Sequence, residues 1–153
     1  MRAVVQRVQK GQVMVAGESI GAISQGLVIL LGFQPLDDEK STEYMLEKIF
    51  HLRIFEDTEG KMNQSLVDIQ GELLIIPNFT LYGDCRKGRR PSFSKSASPS
   101  QAEEMFNEFI KRAHEKGKEF DILIQQGKFQ ADMQVEIVND GPVTLIIDSE
   151  KMI

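Results

Sequence analysis

Two stretches of the chain hold residue types from which chemistry could be built. The first begins at Phe79-Thr80 and runs through Tyr82 and Cys85 into Arg86, Lys87, Arg89, Arg90 and Lys95, directly behind the apolar run Leu73–Ile76. Glycines at Gly83 and Gly88 would let backbone approach a ligand closely, and Phe79, Tyr82 and Phe93 flank the cations. A basic loop with interleaved aromatics suits a phosphate backbone with stacked bases, as at a single-stranded RNA end. A solvated loop whose arginines pair with carboxylates fits the pattern equally well, because the chain carries 18 Lys+Arg against 23 Asp+Glu. The second stretch is "VNDGPVTLIID", Val138–Asp148. A Gly-Pro pair ordinarily just makes a turn. With its carbonyls facing outward, however, it would form a stiff wall without side chains. Such a wall could hold an amino group and reject a substituent on one face of a chiral centre. The residues alone leave the isomer of the Gly141-Pro142 bond open.

Other chemistries lack their residues. There is no G-x-x-x-x-G-K-[ST] phosphate loop, no G-x-G-x-x-G behind a strand and no H-E-x-x-H. His51 and His114 both fall within expected helices and read as helix-surface histidines. Cys85 beside Arg86 and Lys87 has the surroundings of a reactive thiolate but no partner base, so it reads as an ordinary loop cysteine. One cysteine and two separated histidines give no metal spacing, and no metal or cofactor is expected. An enzyme so equipped would work with hydroxyls, backbone groups and the substrate's own groups. That suits an activated bond such as an ester, whose oxyanion can be held by backbone N–H groups.

The elements that must position these groups are legible from periodicity. A chain of 153 residues, 41% hydrophobic and 27% charged, is the size of one domain, expected over 1–153. Its lone cysteine points to a reducing, cytoplasmic setting. The longest apolar run, Leu27–Phe33, is too short to span a bilayer. Strands are expected at Arg2–Val8 and Gln12–Gly17, joined at Gly11, and at Gly26–Phe33, which is apolar on both faces. Others are expected at Gly71–Leu81, Phe120–Ile124, Met133–Asn139 and Val143–Asp148, with "NDGP" turning between the last two. Pro77 must lie at an edge, a bulge or a strand end, since it cannot donate to a ladder. One helix is expected over about Asp38–Leu52. A second starts at Ser98, with Pro99 at its first position and Gln101 completing a capping box, and stops at Gly117. The sum is an α/β sheet with two main helices covering part of one face.

Taken end to end, the chain closely resembles the D-aminoacyl-tRNA deacylases. The resemblance rests on "RAVVQRV", "GLVILLGF", "LRIFEDTEGKMNQSL", "FTLYGDCRKGRRPSF", "ADMQV" and "NDGPVT" together. Of the family's two signatures, Asn-x-Gly-Pro-x-Thr is intact as Asn139, Gly141, Pro142 and Thr144. Ser-Gln-Phe-Thr-Leu keeps Phe79, Thr80 and Leu81 but has Pro77-Asn78 in its first two places. The resemblance implies a mixed, mostly antiparallel, barrel-like sheet. It also implies a homodimer in which a cis Gly141-Pro142 completes the partner's active site at the subunit interface, with Arg7 and Met133 as nearby supports. The implied reaction is hydrolysis of the ester between a D-amino acid and the terminal ribose of tRNA, with glycyl esters also accepted. Thr80, Phe79 and Asn78 would be catalytic, and Arg86, Lys87, Arg89, Arg90 and Lys95 would grip the tRNA acceptor end. For Thr80 the family offers nucleophile or positioning group. Positioning is favoured here because no base is at hand, with backbone N–H groups of Phe79 and Thr80 as oxyanion donors. Proline is also found in this place in a related branch of relaxed chirality. The alternatives are therefore removal of small misacylated L-amino acids such as alanine, or a non-catalytic dimer that binds tRNA ends.

Overall fold

A computed structural model describes residues 1–153. Its organising element is β1 (Arg2–Val15), a single strand of 14 residues where two strands joined at Gly11 are expected. Gly11 makes no turn. A β-carbon there would lie 2.6 Å from Val28 Cγ2, so the glycine serves close packing inside the sheet. The reversal comes later, at Ala16-Gly17, where both residues have positive φ (50° and 80°), the two-residue hairpin geometry that matches strand twist. It leads into β2 (Glu18–Ile23), a short strand that the sequence patterning does not reveal.

Along one side of β1, its first half pairs antiparallel with β3 (Gly26–Gly32) and its second half with β2. A β4–β5 hairpin (Phe55–Glu56, Met62–Gln64) stands apart as its own small sheet. Beyond β3, β6 (Glu72–Pro77) and β7 (Ile124–Gln126) add in parallel. The opposite side of β1 is lined throughout by β8 (Met133–Asp148). The sheet curls so far that a β-carbon on Gly21 of β2 would sit 3.2 Å from the Gln126 carbonyl of β7, and the mixed sheet is nearly closed into a barrel. β8 corrects a second expectation. The "NDGP" segment does not reverse the chain. Asn139 pairs with Val8 and Thr144 with Gln6, so Asp140–Val143 bulges out opposite the lone Arg7 while the strand keeps its direction.

Two helices cover one face. α1 (Glu39–His51) opens on Asp38, whose side chain accepts from Ser41 N, and buries Met45, Leu46, Ile49 and Phe50. α2 (Pro99–Phe120) starts on Ser98 as expected, but only half of the capping box forms. Gln101 N donates to Ser98 Oγ at 3.4 Å, while Gln101 Nε2 reaches the Pro35 carbonyl at 3.0 Å instead of returning to the cap. The helix also runs through Gly117 and ends at Asp121 in the left-handed conformation, so β7 begins later than the strand expected over Phe120–Ile124. Gly117 is needed for another reason: its β-carbon would meet the Ile122 carbonyl at 2.8 Å, where the departing chain folds back.

β3 is buried on both faces, as its unbroken apolar run predicts. Leu27, Ile29 and Leu31 join Leu73 and Ile75 against Phe106, Phe109 and Ile110 of α2. Val28 joins Val8, Val13, Ile23, Leu74 and Ile76 inside the curl, against Met133, Val135 and Ile137. Burying each such side chain is worth about 1.5–3 kcal/mol, so β3 and β6 form a rigid base for the segment that leaves β6. No helix is long and apolar enough to cross a membrane.

Candidate active site

The strand expected over Gly71–Leu81 stops four residues early, at Pro77. Pro77 is the last residue of β6, paired with Leu31, at a level where β7 has already departed. The missing proline N–H therefore breaks no ladder bond. Asn78 N donates to the Leu31 carbonyl at 2.7 Å, and the chain then tightens into a 3-10 turn, Phe79–Tyr82. Asn78 starts this turn. Its Oδ1 accepts from Thr80 N at 3.3 Å and from Thr80 Oγ1 at 2.5 Å. Tyr82 closes the turn into the core: it is 2% exposed, Arg2 lies over its ring at 4.8 Å, and burial first, then Asp37, pushes its phenol well above the ordinary range. Tyr82 is thus an anchor and not one of the exposed aromatics flanking the basic loop. Phe79 and Phe93 do stand at the surface, 55% and 38% exposed, with ring centroids 5.1 Å apart in an edge-to-face pair.

An open, mostly apolar groove of about 1060 Å³ runs past this turn. It is lined by Pro77, Asn78 and Phe79 at the end of β6, by Phe93, Ala97 and Pro99 ahead of and at the start of α2, by Phe129 and Ala131, and by Leu30, Ile76, Met133, Val135 and Ile137 of the sheet. Met133 is held in place by its neighbours: its Sδ accepts from Lys128 N at 3.4 Å and would lie only 2.7 Å from a β-carbon on Gly127. Thr80 is exposed but does not line the groove. No His, Asp, Glu or Lys lines it either, so no side chain there could serve as a general base near neutral pH.

The second group of expected site residues assembles elsewhere, on the β8 bulge. Asn139 Oδ1 accepts from Val143 N at 3.0 Å, and Asn139 Nδ2 donates to Thr144 Oγ1 at 3.0 Å, clamping the two ends of the bulge together. Arg7, 4% exposed, lies beneath it. Its Nε donates to the Asp140 carbonyl at 3.1 Å and its Nη1 to the Ile54 carbonyl at 2.8 Å, and Asp140 and Glu56 balance its charge at 3.3 and 3.8 Å. Gly141 has φ +121° and precedes a cis bond to Pro142, and a β-carbon on it would meet Arg7 Nη2 at 3.0 Å. Only glycine fits both this φ and this close approach. Gly141 and Pro142 themselves are exposed. None of Arg7, Asn139, Gly141, Pro142 or Thr144 lines the groove of its own chain. The expected site thus falls into two parts, the groove and the bulge.

The basic loop is closed at its base by Asp84 and Ser92, which exchange backbone hydrogen bonds of 2.7 and 3.0 Å. Arg86 is not free: its Nε and Nη2 grip both oxygens of Asp84 at 2.9 and 2.6 Å, which holds that carboxyl well below the usual carboxylate range. Lys87, Arg89, Arg90 and Lys95 form no ion pair within 4 Å and are all exposed. Away from the loop, Glu39, Glu43 and Glu108 pair with Arg112 and Glu47 with Lys116. His51 and His114 belong to the helices, and neither lines the groove. Cys85 is exposed.

Known proteins of this shape and sequence are numerous. A family model described as D-Tyr-tRNA(Tyr) deacylase matches residues 4–148. Relatives named D-aminoacyl-tRNA deacylase include those of Clostridium kluyveri, 55% identical, and Thermosipho africanus, 52% identical, each aligned over 152 residues and 99% of both chains. Among solved structures, one described as "c-Myc DNA Unwinding Element Binding Protein" is 43% identical with a TM-score of 0.89, covering 97% of this chain and 98% of that one. Another, of "a probable eukaryotic D-amino acid tRNA deacylase", has a TM-score of 0.73 at 18% identity over 95% and 97% of the two chains, a likeness of fold alone.

Proposed function

The chain belongs to the D-Tyr-tRNA(Tyr) deacylase family, hydrolases of the aminoacyl-tRNA ester, and from this we propose that it removes D-amino acids from tRNA as a chirality-proofreading enzyme. The observation that carries the proposal is the exposed Gly141-Pro142 bulge, braced from below by a buried arginine and clamped at its ends by Asn139 and Thr144. A bracing this thorough is expected where backbone carbonyls must hold a fixed position. They would accept hydrogen bonds from the substrate's α-ammonium and leave no room for an L side chain. Glycine, having no side chain, would pass the same filter.

In this scheme the bulge completes the groove of a second copy, because it does not line that groove in its own chain. The chain would therefore work as a homodimer with each site at the subunit interface. The terminal adenosine and amino acid would occupy the groove, with Phe79 and Phe93 offering faces for stacking. Water attacks the ester carbonyl and forms the new C–O bond. The bond to the ribose oxygen breaks, and that oxygen takes the proton. Negative charge on the carbonyl oxygen would be met by Phe79 N–H; Thr80 N–H, the other expected donor, already points at Asn78. The Thr80 hydroxyl donates to an amide oxygen, which is no base, so Thr80 positions and does not attack. The substrate's neighbouring 2′-hydroxyl is the remaining candidate for activating the water. Lys87, Arg89, Arg90 and Lys95 would hold acceptor-end phosphates, and Arg86 would contribute only on leaving Asp84. The setting proposed is the cytoplasm, where aminoacyl-tRNA is found.

Pro77 favours one alternative, the relaxed-chirality activity towards small L-amino acids. Matched D-tyrosyl-, L-tyrosyl-, L-alanyl- and glycyl-tRNA, tested with the wild type and a Pro142→Ala variant, separate the cases. The expected result is rapid loss of the D-tyrosyl and glycyl esters, with both L-esters spared and the variant impaired. Turnover of L-alanyl-tRNA would assign the relaxed activity. Retention of every ester by a chain that still binds tRNA would reduce it to a binding module.

A further inference from the structure

The bulge carries more negative charge than its bracing needs. Arg7 beneath it is almost wholly buried, and one carboxylate is enough to neutralise its guanidinium. Asp140, part of the bulge itself, supplies that carboxylate at 3.3 Å. Glu56 is a second one, brought in from the β4–β5 hairpin, with its Oε1 3.8 Å from Arg7 Nη2. No other cation lies within 4 Å of either carboxylate. The Glu56 side chain makes no hydrogen bond at that distance and is 56% exposed, so as an ion pair it adds little to stability. What it does add is one unbalanced negative charge.

The place of that charge gives it a use. Arg7 Nη2, the atom that Glu56 approaches, is also the atom that a β-carbon on Gly141 would meet at 3.0 Å. Arg7 Nη1 holds the Ile54 carbonyl at 2.8 Å, two residues before Glu56, while Nε holds the Asp140 carbonyl at 3.1 Å. Hairpin and bulge are thus tied to one guanidinium, and Glu56 stays with the exposed Gly141-Pro142 wherever the bulge is inserted.

We propose that Glu56 is a specificity-determining residue, whose unbalanced charge makes the bulge select an acyl group with a charged α-ammonium over one with a neutral α-substituent. This rests on the deacylase reading above, in which the bulge carbonyls receive the ammonium. Carbonyl dipoles alone discriminate weakly, since a hydroxyl can donate to them as an N–H does. A net negative charge separates the two, because it attracts only the cation. The ammonium keeps its charge while the ester is cleaved, so the attraction is the same in the ground state and the transition state. It therefore acts on KM and leaves kcat alone.

Glu56→Gln keeps the shape of the side chain and removes its charge, and Glu56→Lys reverses the charge. Saturation kinetics and thermal unfolding are measured on the full-length wild type and both variants. The esters are D-tyrosyl-tRNA and its α-hydroxy analogue, in which a neutral hydroxyl replaces the ammonium. Where the analogue is not turned over, its inhibition constant against D-tyrosyl-tRNA takes the place of KM. For D-tyrosyl-tRNA, KM is expected to rise about fivefold in Glu56→Gln and about 25-fold in Glu56→Lys, the effect of one and of two unit charges several ångströms away near a protein surface. The kcat and the melting temperature should not change, and the analogue's constant should stay level or fall. Removal of a negative charge would by itself strengthen contacts with tRNA phosphates and lower KM for both esters, so a rise confined to the ammonium ester isolates the effect. A KM for D-tyrosyl-tRNA that holds or falls overturns the proposal. An equal rise for both esters also overturns it, and would make Glu56 a brace of the bulge. A wild type that turns over no ester would instead sink the deacylase reading itself, before either variant is compared.

Discussion

The side chains of the site divide into those that could touch substrate and those that hold others still. Asn78 and Phe79 line the groove, whereas Arg7, Asn139 and Thr144 spend every visible hydrogen bond on the bulge that presents Gly141-Pro142 and its surroundings. Thr80 belongs with the second kind. Its hydroxyl proton goes to an amide oxygen, and no carboxylate or imidazole lines the groove to draw it away. Thr80→Val should therefore lower kcat only by about fivefold, equivalent to about 1 kcal/mol for one hydrogen bond, because Thr80 N–H still holds Asn78. Loss of all single-turnover activity, or a trapped acyl-enzyme in the wild type, would mark Thr80 as the nucleophile instead.

Among the elements, α2 and the basic loop each carry an expectation that residue type alone would get wrong. Replacing a glycine inside a helix by alanine ordinarily gains about 1 kcal/mol. At Gly117 the added methyl group would press on the Ile122 carbonyl, and overpacking of about 1–3 kcal/mol wins. Gly117→Ala should thus lower stability by about 1 kcal/mol in urea unfolding, and a gain would show that the end of α2 yields easily. In the loop, five cations do not mean five phosphate contacts, because Asp84 holds Arg86. The carboxyl's lowered pKa keeps that pair intact as pH falls through the ordinary carboxylate range. Asp84→Asn should free Arg86 and steepen the slope of log affinity for tRNA against log salt by about 0.7, whereas Arg89→Ala with Arg90→Ala should flatten it by about 1.4. Slopes equal to the wild type in both variants would remove the loop from tRNA binding.

For the whole molecule the feature that matters is that the Gly141-Pro142 bulge does not line the groove of its own chain. On the homodimer reading proposed above, the groove of one copy would be completed by the Gly141-Pro142 bulge of the other. Two crippled chains, Pro142→Ala and Ala131→Trp (the latter filling the groove), should therefore rescue each other. In an equal mixture of exchanging dimers about a quarter of all sites would combine an intact groove with an intact bulge, and deacylation should recover to about that fraction. No recovery, with heterodimers demonstrated by mass spectrometry, would place the bulge in its own subunit's service.

Residue order is enough to read the double-sided burial of β3, both helices and the Ser98 cap of the second, the exclusion of Pro77 from a strand interior, and membership of the family. Each of these depends on local propensity, on periodicity, or on motifs that survive side by side in the chain. Other features are settled only in three dimensions. Gly11 reads as a turn until Val28 is seen against it, Gly117 reads as a stop until Ile122 folds over it, and "NDGP" reads as a reversal until Arg7 is found alone opposite four residues. For Gly11 and "NDGP" the deciding neighbour is remote in sequence, and for Gly117 it lies beyond the helix end that the glycine was expected to mark. The pairing of Arg86 with Asp84 is wholly local, yet charge counting tells how many partners exist and not which geometry closes. Asn78 lies between the two: its type permits a cap, and only the fold shows that its Oδ1 takes both the N–H and the O–H of Thr80.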